Sequence, residues 1–260
     1  MEFRPCIDIH NGKVKQIVGG SLADKNDFAK ENFISDADAA YFSDLYYKLG
    51  ISGGHVIMLN AADSPYYEAT RQQAISALSR HPGLLQAGGG ITADNAADFL
   101  NAGASHVIIT SYVFKNGIIH YDRLNKLVEK VGRQHIVLDL SCKKAADGYH
   151  IVTDRWQNMT DVIVTPDLLD KLSCCCDEYL IHAVDVEGKC NGIEEELVSL
   201  LADYDGIPLT YAGGIGSFND LNRLRLLGRS RINVTIGSAL DLFGGSMALT
   251  EVLKCIGQTL

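Results

Sequence analysis

The sequence predicts a closed (β/α)8 barrel, because eight short apolar segments alternate with amphipathic ones along the chain. Most of the apolar segments have no polar interruption and are rich in Ile, Val and Leu, as strands buried on both faces are. The chain has 260 residues, close to the size of about 250 that is typical of such barrels. An open doubly wound sheet is the alternative. Eight strands fit it less well, and no GxGxxG motif follows the first strand.

The predicted strands are short and are bounded by polar or glycine-containing stretches. In chain order they are PCIDI (5–9), GHVIML (54–59), LLQAG (84–88), SHVIITS (105–111), HIVLDLS (135–141), YLIHAVDV (179–186), PLTYAG (208–213) and INVTIGS (232–238). Between them, apolar residues recur at helical spacing, and several of these stretches end in glycine, the usual helix stop. The clearest predicted helices are AAYFSDLYYKLG (39–50), DNAADFLNAG (94–103), YDRLNKLVEKVG (121–132), IEEELVSLLADY (193–204) and SFNDLNRLRLLG (217–228). This alternation implies right-handed βαβ units and a parallel sheet.

Two long connections follow predicted strands and are candidates to cover a site. Residues 19–36 form a polar connection after the first strand, and residues 141–161 begin at the end of the fifth. Within the second connection, YHIVTD (149–154) predicts a small hairpin. Long loops after barrel strands lie at the carboxyl end of the barrel, where active sites are found.

The two halves of the chain carry matching residues at nearly one spacing, which predicts an internal duplication. No linker rich in Pro, Gly or Ser separates the halves, so we expect one domain, residues 1–260, made of two (βα)4 halves. The matching pairs are Asp8 and Asp139, 131 residues apart, His55 and His182, 127 apart, Gly90 and Gly214, 124 apart, and Ser111 and Ser238, 127 apart.

Charge and composition disfavour several classes of partner. A net charge of −9 argues against nucleic acid and anionic membrane surfaces, which basic side chains would have to neutralise. It still permits a small anionic ligand, because backbone N–H groups can bind phosphate. No apolar run reaches the roughly 18 residues of a membrane span, and the first residues do not resemble a signal peptide.

The seven cysteines follow no CxxC spacing, and three of them are contiguous at 174–176. Adjacent cysteines rarely reach one tetrahedral metal site, so we expect reduced thiols and no bound metal. Reduced thiols are typical of the cytoplasm, and we expect a cytoplasmic, monomeric protein.

One short motif occurs twice, as LLQAGGGITADNAADF (84–99) and as PLTYAGGIGSFNDL (208–221). Glycine lets the backbone approach a ligand closely, and the helix that follows offers N–H groups to an anion. The strand after each copy ends in a hydroxyl residue, Ser111 or Ser238. Loops at these barrel positions commonly bind phosphate, so the repeat predicts a ligand with a phosphate at each end. The alternative is that the glycines only permit tight packing of helix on strand.

Two acidic residues interrupt apolar strands, Asp8 in the first and Asp139 in the fifth. A carboxylate in such a strand must face water, a partner or a ligand, because burying it alone is costly. The first and fifth strands face each other across a barrel, so the two acids would flank a ligand at the mouth. Such a pair can divide acid and base catalysis between its members. The alternative is a pair of structural acids satisfied by lysine or by backbone groups.

Three aromatic side chains are further candidates, His55, His182 and Trp156. A histidine in an apolar strand is more often a hydrogen-bonded core residue than a catalyst, and this holds for both histidines. Trp156 is the single tryptophan and lies in a polar loop. It would either stack on a planar ring of the ligand or cap the barrel mouth.

The opening RPCIDIHNGKVKQIVGG, the words LQAGGGI and YAGGIGS, and LDL at the fifth strand together resemble the two sister barrels of histidine biosynthesis. The closer resemblance is to the phosphoribosylformimino-5-aminoimidazole carboxamide ribotide isomerases in their eukaryotic form, and it covers nearly the whole chain. It implies an Amadori-type aldose–ketose isomerisation of a small-molecule bisphosphate substrate. It implies neither a metal nor an organic cofactor.

The resemblance also implies roles for single residues. Asp8 is the general base that removes the proton from C2 of the ribose, and Asp139 is the general acid that protonates the ring oxygen. His55 faces the substrate, and Trp156 stacks on it. The implied phosphate contacts are Gly90 and Ser111 at one end, and Gly213, Gly214, Gly237 and Ser238 at the other.

The chain departs from bacterial members of the family at three places. Thr92 follows GGGI where they have Arg, and Thr110-Ser111 stands where they have Gly-Thr or Gly-Ser. The stretch VDVEGKCNG (184–192) is two residues shorter than its bacterial counterpart. Glu187-Gly188 therefore occupies the position of an Asp-Gly pair in those members, and the roles of Asp185 and Glu187 are left open.

Two other functions share the same barrel. The sister cyclase of imidazole glycerol phosphate synthase has both phosphate sites and both aspartates, but it uses ammonia from a glutaminase, and no glutaminase domain is recognisable in the sequence. A non-catalytic barrel that only binds a sugar phosphate would not need two acids in apolar strands. We therefore favour the isomerase, with the cyclase as the alternative.

Overall fold

The computed structural model describes residues 1–18, 21 and 30–257, and its central feature is a barrel of eight parallel strands. Each strand overlaps one predicted segment, so the predicted (β/α)8 fold is confirmed. The barrel strands are β1 (Cys6–His10), β4 (Gly54–Met58), β5 (Leu85–Gly88), β6 (Val107–Ile109), β9 (Ile136–Asp139), β13 (Glu178–His182), β14 (Leu209–Ala212) and β15 (Asn233–Thr235).

The barrel closes between its first and last strands. Every neighbouring pair from β1 to β15 is parallel. Phe3 forms a parallel bridge with Val234. The Arg4 N–H donates to the Val234 carbonyl at 2.8 Å, and the Val234 N–H donates to the Glu2 carbonyl at 2.9 Å. All eight strands therefore end at one rim.

Short antiparallel strands extend the loops at that rim. Strands β2 (Lys13–Ile17) and β3 (Glu31–Ile34) continue the sheet from β1, and β7 (Phe114–Lys115) pairs with β8 (Ile118–Ile119). A three-stranded sheet consists of β10 (Cys142–Ala145), β11 (Gly148–Thr153) and β12 (Asn158–Ile163).

These strands bear on the two predictions made for the long connections. The hairpin predicted at 149–154 is wrong in its bounds, since residues 149–153 lie in the single strand β11, which pairs with β10 on one side and β12 on the other. Of the predicted cover at 19–36, residues 19–20 and 22–29 lie outside the described residues.

The helices of the described ranges pack outside the barrel. They are α1 (Ala39–Lys48), α2 (Tyr67–Arg80), α3 (Ala96–Asn101), α4 (Tyr121–Val131), α5 (Pro166–Leu172), α6 (Glu195–Leu201), α7 (Phe218–Leu227) and α8 (Leu249–Cys255). All five predicted helices are confirmed. Side-chain caps start three of the eight, with Asp38, Thr165 and Ser217 each accepting from a backbone N–H of the first turn. None of these helices is long and apolar enough to cross a membrane.

Two apolar layers hold the fold together. The larger lies between the barrel and the helices and includes Ile7, Ile9 and Tyr46. A small cluster fills the middle of the barrel, and each member comes from a different strand: Ile57, Ile108, Val137, Leu180 and Ala212. Alternation along β1 explains the division, because Ile7 and Ile9 face outward while Asp8 faces the barrel interior.

A polar layer occupies the amino end of the barrel interior. Glu178 is 6% exposed. Its carboxylate accepts hydrogen bonds from Gln86 Nε2, at 3.0 Å, and from the Thr210 hydroxyl. One Arg4 nitrogen lies 3.8 Å from the same carboxylate. This layer lies at the opposite end of the strands from the rim.

We predict that Glu178→Ala lowers the free energy of unfolding by about 3 kcal/mol, because it leaves the Gln86 amide and the Thr210 hydroxyl without their buried acceptor and leaves Arg4 with only the exposed Glu2 as a countercharge. Urea unfolding measures the change. The matched control is Glu251→Ala, which removes an exposed carboxylate paired with Lys254 and should leave the unfolding midpoint unchanged. Equal midpoints for the two variants would contradict a stabilising role for the polar layer.

Candidate active site

Two cavities open side by side at the carboxyl ends of the barrel strands. The larger has a volume of about 650 Å³ and the smaller of about 40 Å³. Three side chains line both cavities, Asp8 on β1, His182 at the end of β13, and Glu187 in the loop that follows. The ionisable groups therefore lie at the boundary between the two cavities.

The structure brings all ten predicted site residues to these walls. Asp8 lines both cavities. The larger cavity also contains Gly90, Ser111, Asp139 and Trp156. The smaller contains His55, Gly213, Gly214, Gly237 and Ser238.

The repeated glycines differ in why they are needed. Gly90 and Gly214 both have a left-handed backbone, with φ of +68° and +77°. A side chain on Gly214 would meet the Gly192 carbonyl oxygen at 2.0 Å, whereas one on Gly90 would meet nothing within 4 Å. Close packing thus accounts for Gly214 but not for Gly90, where only the backbone conformation requires glycine.

Free backbone donors surround each glycine loop. Within the described residues, the N–H groups of Gly90 and Ser111 donate to no protein acceptor in the larger cavity. The same holds for Gly214, Gly237 and Ser238 in the smaller one. Free N–H groups that point toward one place can bind an anion there.

The helix starts contribute less than the sequence predicts. The Thr92 N–H donates to Asn95 Oδ1 at 2.8 Å, and the Gly216 N–H donates to Asp220 Oδ2 at 3.1 Å. At these positions the expectation of free N–H groups is wrong, because Asn95 and Asp220, polar residues at or near the start of the following helix, already accept from them.

The two predicted serines have matching environments. The Ser111 hydroxyl oxygen accepts from the Asp154 N–H at 2.9 Å, and the Ser238 hydroxyl oxygen accepts from Asn32 Nδ2 at 3.1 Å. Since each oxygen already accepts, its own hydrogen is left to donate to a ligand. Asp154 follows β11 and Asn32 lies on β3, so both long connections reach the site.

Asp139 is held in its ionised form. Its carboxylate accepts from the Ser141 hydroxyl at 2.8 Å and from the Thr110 hydroxyl at 3.1 Å, and His182 Nδ1 lies 3.4 Å away. Burial works to raise the pKa of Asp139, but the His182 charge and these hydrogen bonds hold it below its ordinary value.

His182 is the cation of the cluster. Burial alone would lower its pKa, but the charge and hydrogen bond of Asp139, with the charges of Glu187 and Asp8, raise it to about 9. At neutral pH, His182 is therefore an imidazolium next to an ionised Asp139.

Asp8 has the opposite character to Asp139. Burial, and then the negative charge of Glu187, raise the pKa of Asp8 to about 7, against a smaller lowering by His182. Gln16 Nε2 lies 3.4 Å from its carboxylate. A carboxylate with a pKa near neutrality is a stronger base than an ordinary aspartate and is still partly ionised at pH 7.

Glu187 has an unsatisfied oxygen. Its Oε2 is buried with no hydrogen-bond partner among the described residues, and burial raises its pKa. A buried oxygen without a hydrogen bond destabilises the folded protein unless a ligand donates to it. Asp185, by contrast, lines neither cavity and accepts from the Lys144 N–H at 2.9 Å.

His55 and Trp156 flank the cluster. Burial and the nearby His182 charge lower the pKa of His55 to about 3, so its ring is neutral. The rings of Trp156 and His182 are 5.9 Å apart. Trp156 ends a turn of three left-handed residues, with φ of 51°, 56° and 66° at 154–156. Strained turns of this kind are typical of ligand-binding loops.

Sequence reasoning does not assign His182 or Glu187 to the site. It favours a core role for His182, and the shortened loop leaves the role of Glu187 open. Only the pairing of β13 with β9 and β14 brings them beside Asp139 and Asp8. The one available signal was the spacing of 127 residues between His55 and His182.

The chain is similar to enzymes of histidine biosynthesis. Residues 2–246 match the family described as histidine biosynthesis protein. A chloroplastic protein of Medicago truncatula is 51% identical over 99% of this chain and 82% of its own length. A Yarrowia lipolytica protein is 43% identical over 94% of this chain and 93% of its own, and a Saccharomyces cerevisiae protein is 43% identical over 96% and 95%.

All three relatives are named for one activity. Each is an isomerase of a 1-(5-phosphoribosyl) imidazole-4-carboxamide that carries a (5-phosphoribosylamino)methylideneamino group at position 5.

We predict that Glu187→Gln lowers the pKa of Asp8 below about 7, because it removes the like charge that opposes ionisation. Titration of the Asp8 carboxyl carbon by NMR measures the shift. Glu196→Gln is the matched control, since Glu196 pairs with Lys144 at the surface outside both cavities. An Asp8 pKa that is the same in both variants would remove Glu187 from the cluster.

Proposed function

The chain belongs to the histidine biosynthesis protein family, and from this premise we propose that it isomerises 5-phosphoribosylformimino-5-aminoimidazole-4-carboxamide ribonucleotide. The reaction is an Amadori rearrangement, in which an aminoaldose becomes an aminoketose. The three relatives are named as isomerases of an imidazole carboxamide with two phosphoribosyl groups. The observation that carries the proposal is the position of the acid cluster between two glycine-and-serine half-sites.

The two phosphates of the substrate would occupy the two half-sites. One binds at Gly90 and Ser111, where Lys115, Arg123 and Arg155 also line the cavity. The other binds to the free N–H groups of Gly214, Gly237 and Ser238, with Gly213 completing the loop. Binding at both ends holds the ribose across the boundary between the cavities, beside Asp8 and His182.

We assign the base and the acid to opposite walls of this boundary. Asp8 removes the C2 proton of the opened ribose, a role supported by its raised pKa. The acid that opens the sugar ring lies at Asp139 and its partner His182, 3.4 Å apart. This division follows the general pattern of neighbouring groups whose pKa values are driven apart.

His55 and Trp156 serve to position the substrate. Trp156 lies at the larger cavity with its ring near His182, where it can stack on the imidazole carboxamide. His55 is neutral and faces the smaller cavity, so it can donate a hydrogen bond without adding charge.

The isomerase has a clear advantage over the cyclase alternative. The relatives in the comparison are named as isomerases, and an isomerisation needs no ammonia. A purely binding barrel would have no use for a carboxylate whose pKa is raised beside one whose pKa is lowered.

The rearrangement moves hydrogen within one molecule, so we propose that it uses no redox cofactor. Since side chains supply both the base and the acid, we also propose that it needs no metal. We also propose a monomer of one domain located in the cytoplasm, although the Medicago truncatula relative is named as chloroplastic.

Turnover by the purified protein tests the function directly. One reaction receives the aminoaldose bisphosphate, and a second receives its aminoketose isomer with ammonia. We expect the aldose to be converted to the ketose, and the ketose to persist in the second reaction. Consumption of the ketose only, and only with ammonia, would establish the cyclase instead. Tight binding without turnover in either reaction would show that the protein binds the substrate but does not convert it.

We predict that Asp8→Asn and Asp139→Asn each lower kcat at least ~10²-fold with little change in KM, because each removes a group that acts in the transition state. Steady-state kinetics measures both constants. Glu195→Ala is the control, since Glu195 pairs with Arg223 on the exposed side of α6. Near-full activity in either Asn variant would exclude that aspartate from the mechanism.

A further inference from the structure

We propose that His182 is the side chain that donates the proton in ring opening, and that Asp139 acts as the anion that orients it. The inference rests on the proposed isomerase activity and deepens it. It differs from an assignment of the acid to Asp139 alone, since it names the histidine as the group that carries the proton.

The geometry of His182 suits a donor. Its Nδ1 lies 3.4 Å from Asp139 Oδ1. Among the described residues its hydrogen bond is made at Nδ1, so Nε2 is left for the cavities that the ring lines. One nitrogen is thus used to orient the ring, and the other is left for the substrate. A histidine held by a carboxylate in this way is a common arrangement for proton transfer.

Asp139 is poorly suited to donate. Its two oxygens accept from Ser141, Thr110 and His182, and these donors stabilise the carboxylate rather than the carboxylic acid. A proton on this carboxyl would remove the negative charge that all three donors stabilise. The proton of the pair therefore resides on the imidazole, where the pKa is raised to about 9.

His182 is surrounded by acids from several elements of the barrel. The titratable groups that face it are Asp8 from β1, His55 from β4, Asp139 from β9 and Glu187 from the loop after β13. Three carboxyl groups thus surround one imidazole. Their combined field favours the protonated ring and outweighs the cost of its burial.

His55 cannot replace His182 in this role. The two rings are 6.4 Å apart. His55 is 2% exposed, and burial with the neighbouring cation lowers its pKa to about 3. The cluster therefore contains one protonated and one neutral histidine at pH 7, and only the protonated ring can act as a general acid.

The chemical steps balance without a co-reactant. His182 Nε2–H protonates the ring oxygen, the C1–O bond breaks with its electron pair on oxygen, and the exocyclic nitrogen forms a C1=N double bond. Asp8 then takes the C2 proton, and that electron pair forms a C1=C2 double bond while the imine pair returns to nitrogen. Finally Asp8 returns the proton to C1, and the enol hydroxyl gives its proton to His182 as the ketone forms. Both side chains end as they began.

A direct titration tests where the proton lies. Nitrogen-15 NMR of labelled enzyme, with His182 assigned through its backbone, should show the ring protonated at pH 8. Asp139→Asn should lower the His182 pKa by at least about one unit, since it removes the charge that holds the proton. A neutral His182 ring at pH 7 in the unsubstituted protein would overturn the proposal, whatever the fate of the variants.

The pH dependence of kcat/KM tests the catalytic step. Asp8 must be ionised and His182 protonated, so we expect activity to rise with pH through about 7 and to fall through about 9. His182→Gln should lower kcat ~10²-fold with little change in KM and should abolish the fall near pH 9. Imidazole added to His182→Ala should restore activity, which a purely structural histidine would not allow.

A matched histidine serves as the control. His106 pairs with Asp177 at 3.2 Å near the amino ends of the strands, outside both cavities. His106→Gln should keep both limbs of the pH profile. If His182→Gln retains the alkaline limb, or if His182→Ala folds and imidazole fails to rescue it, the proposal is wrong while the isomerase activity stands. If the unsubstituted protein converts no aminoaldose, the proposed function itself fails.

Discussion

The closing contact between the first and last barrel strands is the constraint on which the site depends. Backbone hydrogen bonds of Arg4 and Glu2 to Val234 join the two ends of the sheet. Because every barrel strand is parallel to its neighbours, closure brings all carboxyl ends to one rim. Asp8 and Asp139 come from strands far apart in the chain. Their side chains lie near the same boundary between the two cavities only because the last strand closes onto the first.

Along the barrel axis, the buried residues that stabilise the fold lie apart from those proposed to act in catalysis. At the amino end, Glu178 has its partners within the protein. In the middle, a small apolar cluster keeps that layer apart from the mouth. At the carboxyl end, Glu187 Oε2 is buried with no partner in the described part of the chain, and His182 bonds to Asp139 through Nδ1, which leaves Nε2 for a ligand. Unsatisfied groups at one end, and satisfied groups at the other, are what a binding site built on a stable scaffold requires.

The two proposed phosphate half-sites are alike in backbone and different in charge. Gly90 and Gly214 share the left-handed conformation, and each predicted serine accepts from a residue of one of the two long connections. The larger cavity adds three cationic side chains to its lining, whereas no Lys or Arg of the described residues lines the smaller one. A symmetric pair of anion loops on an asymmetric field can orient a substrate whose two ends differ.

The barrel, its helices and the positions of the glycine loops are all predictable from the amino-acid sequence. Those features follow from local periodicity and from glycine, which act over a few residues. The sequence also predicted Asp8 and Asp139, because a carboxylate in an apolar strand is visible in the sequence. The tertiary structure alone decided the state of the cluster. Whether His182 holds a proton depends on the distances to Asp139, Glu187 and Asp8, and charge interactions across a barrel leave no pattern in the order of residues.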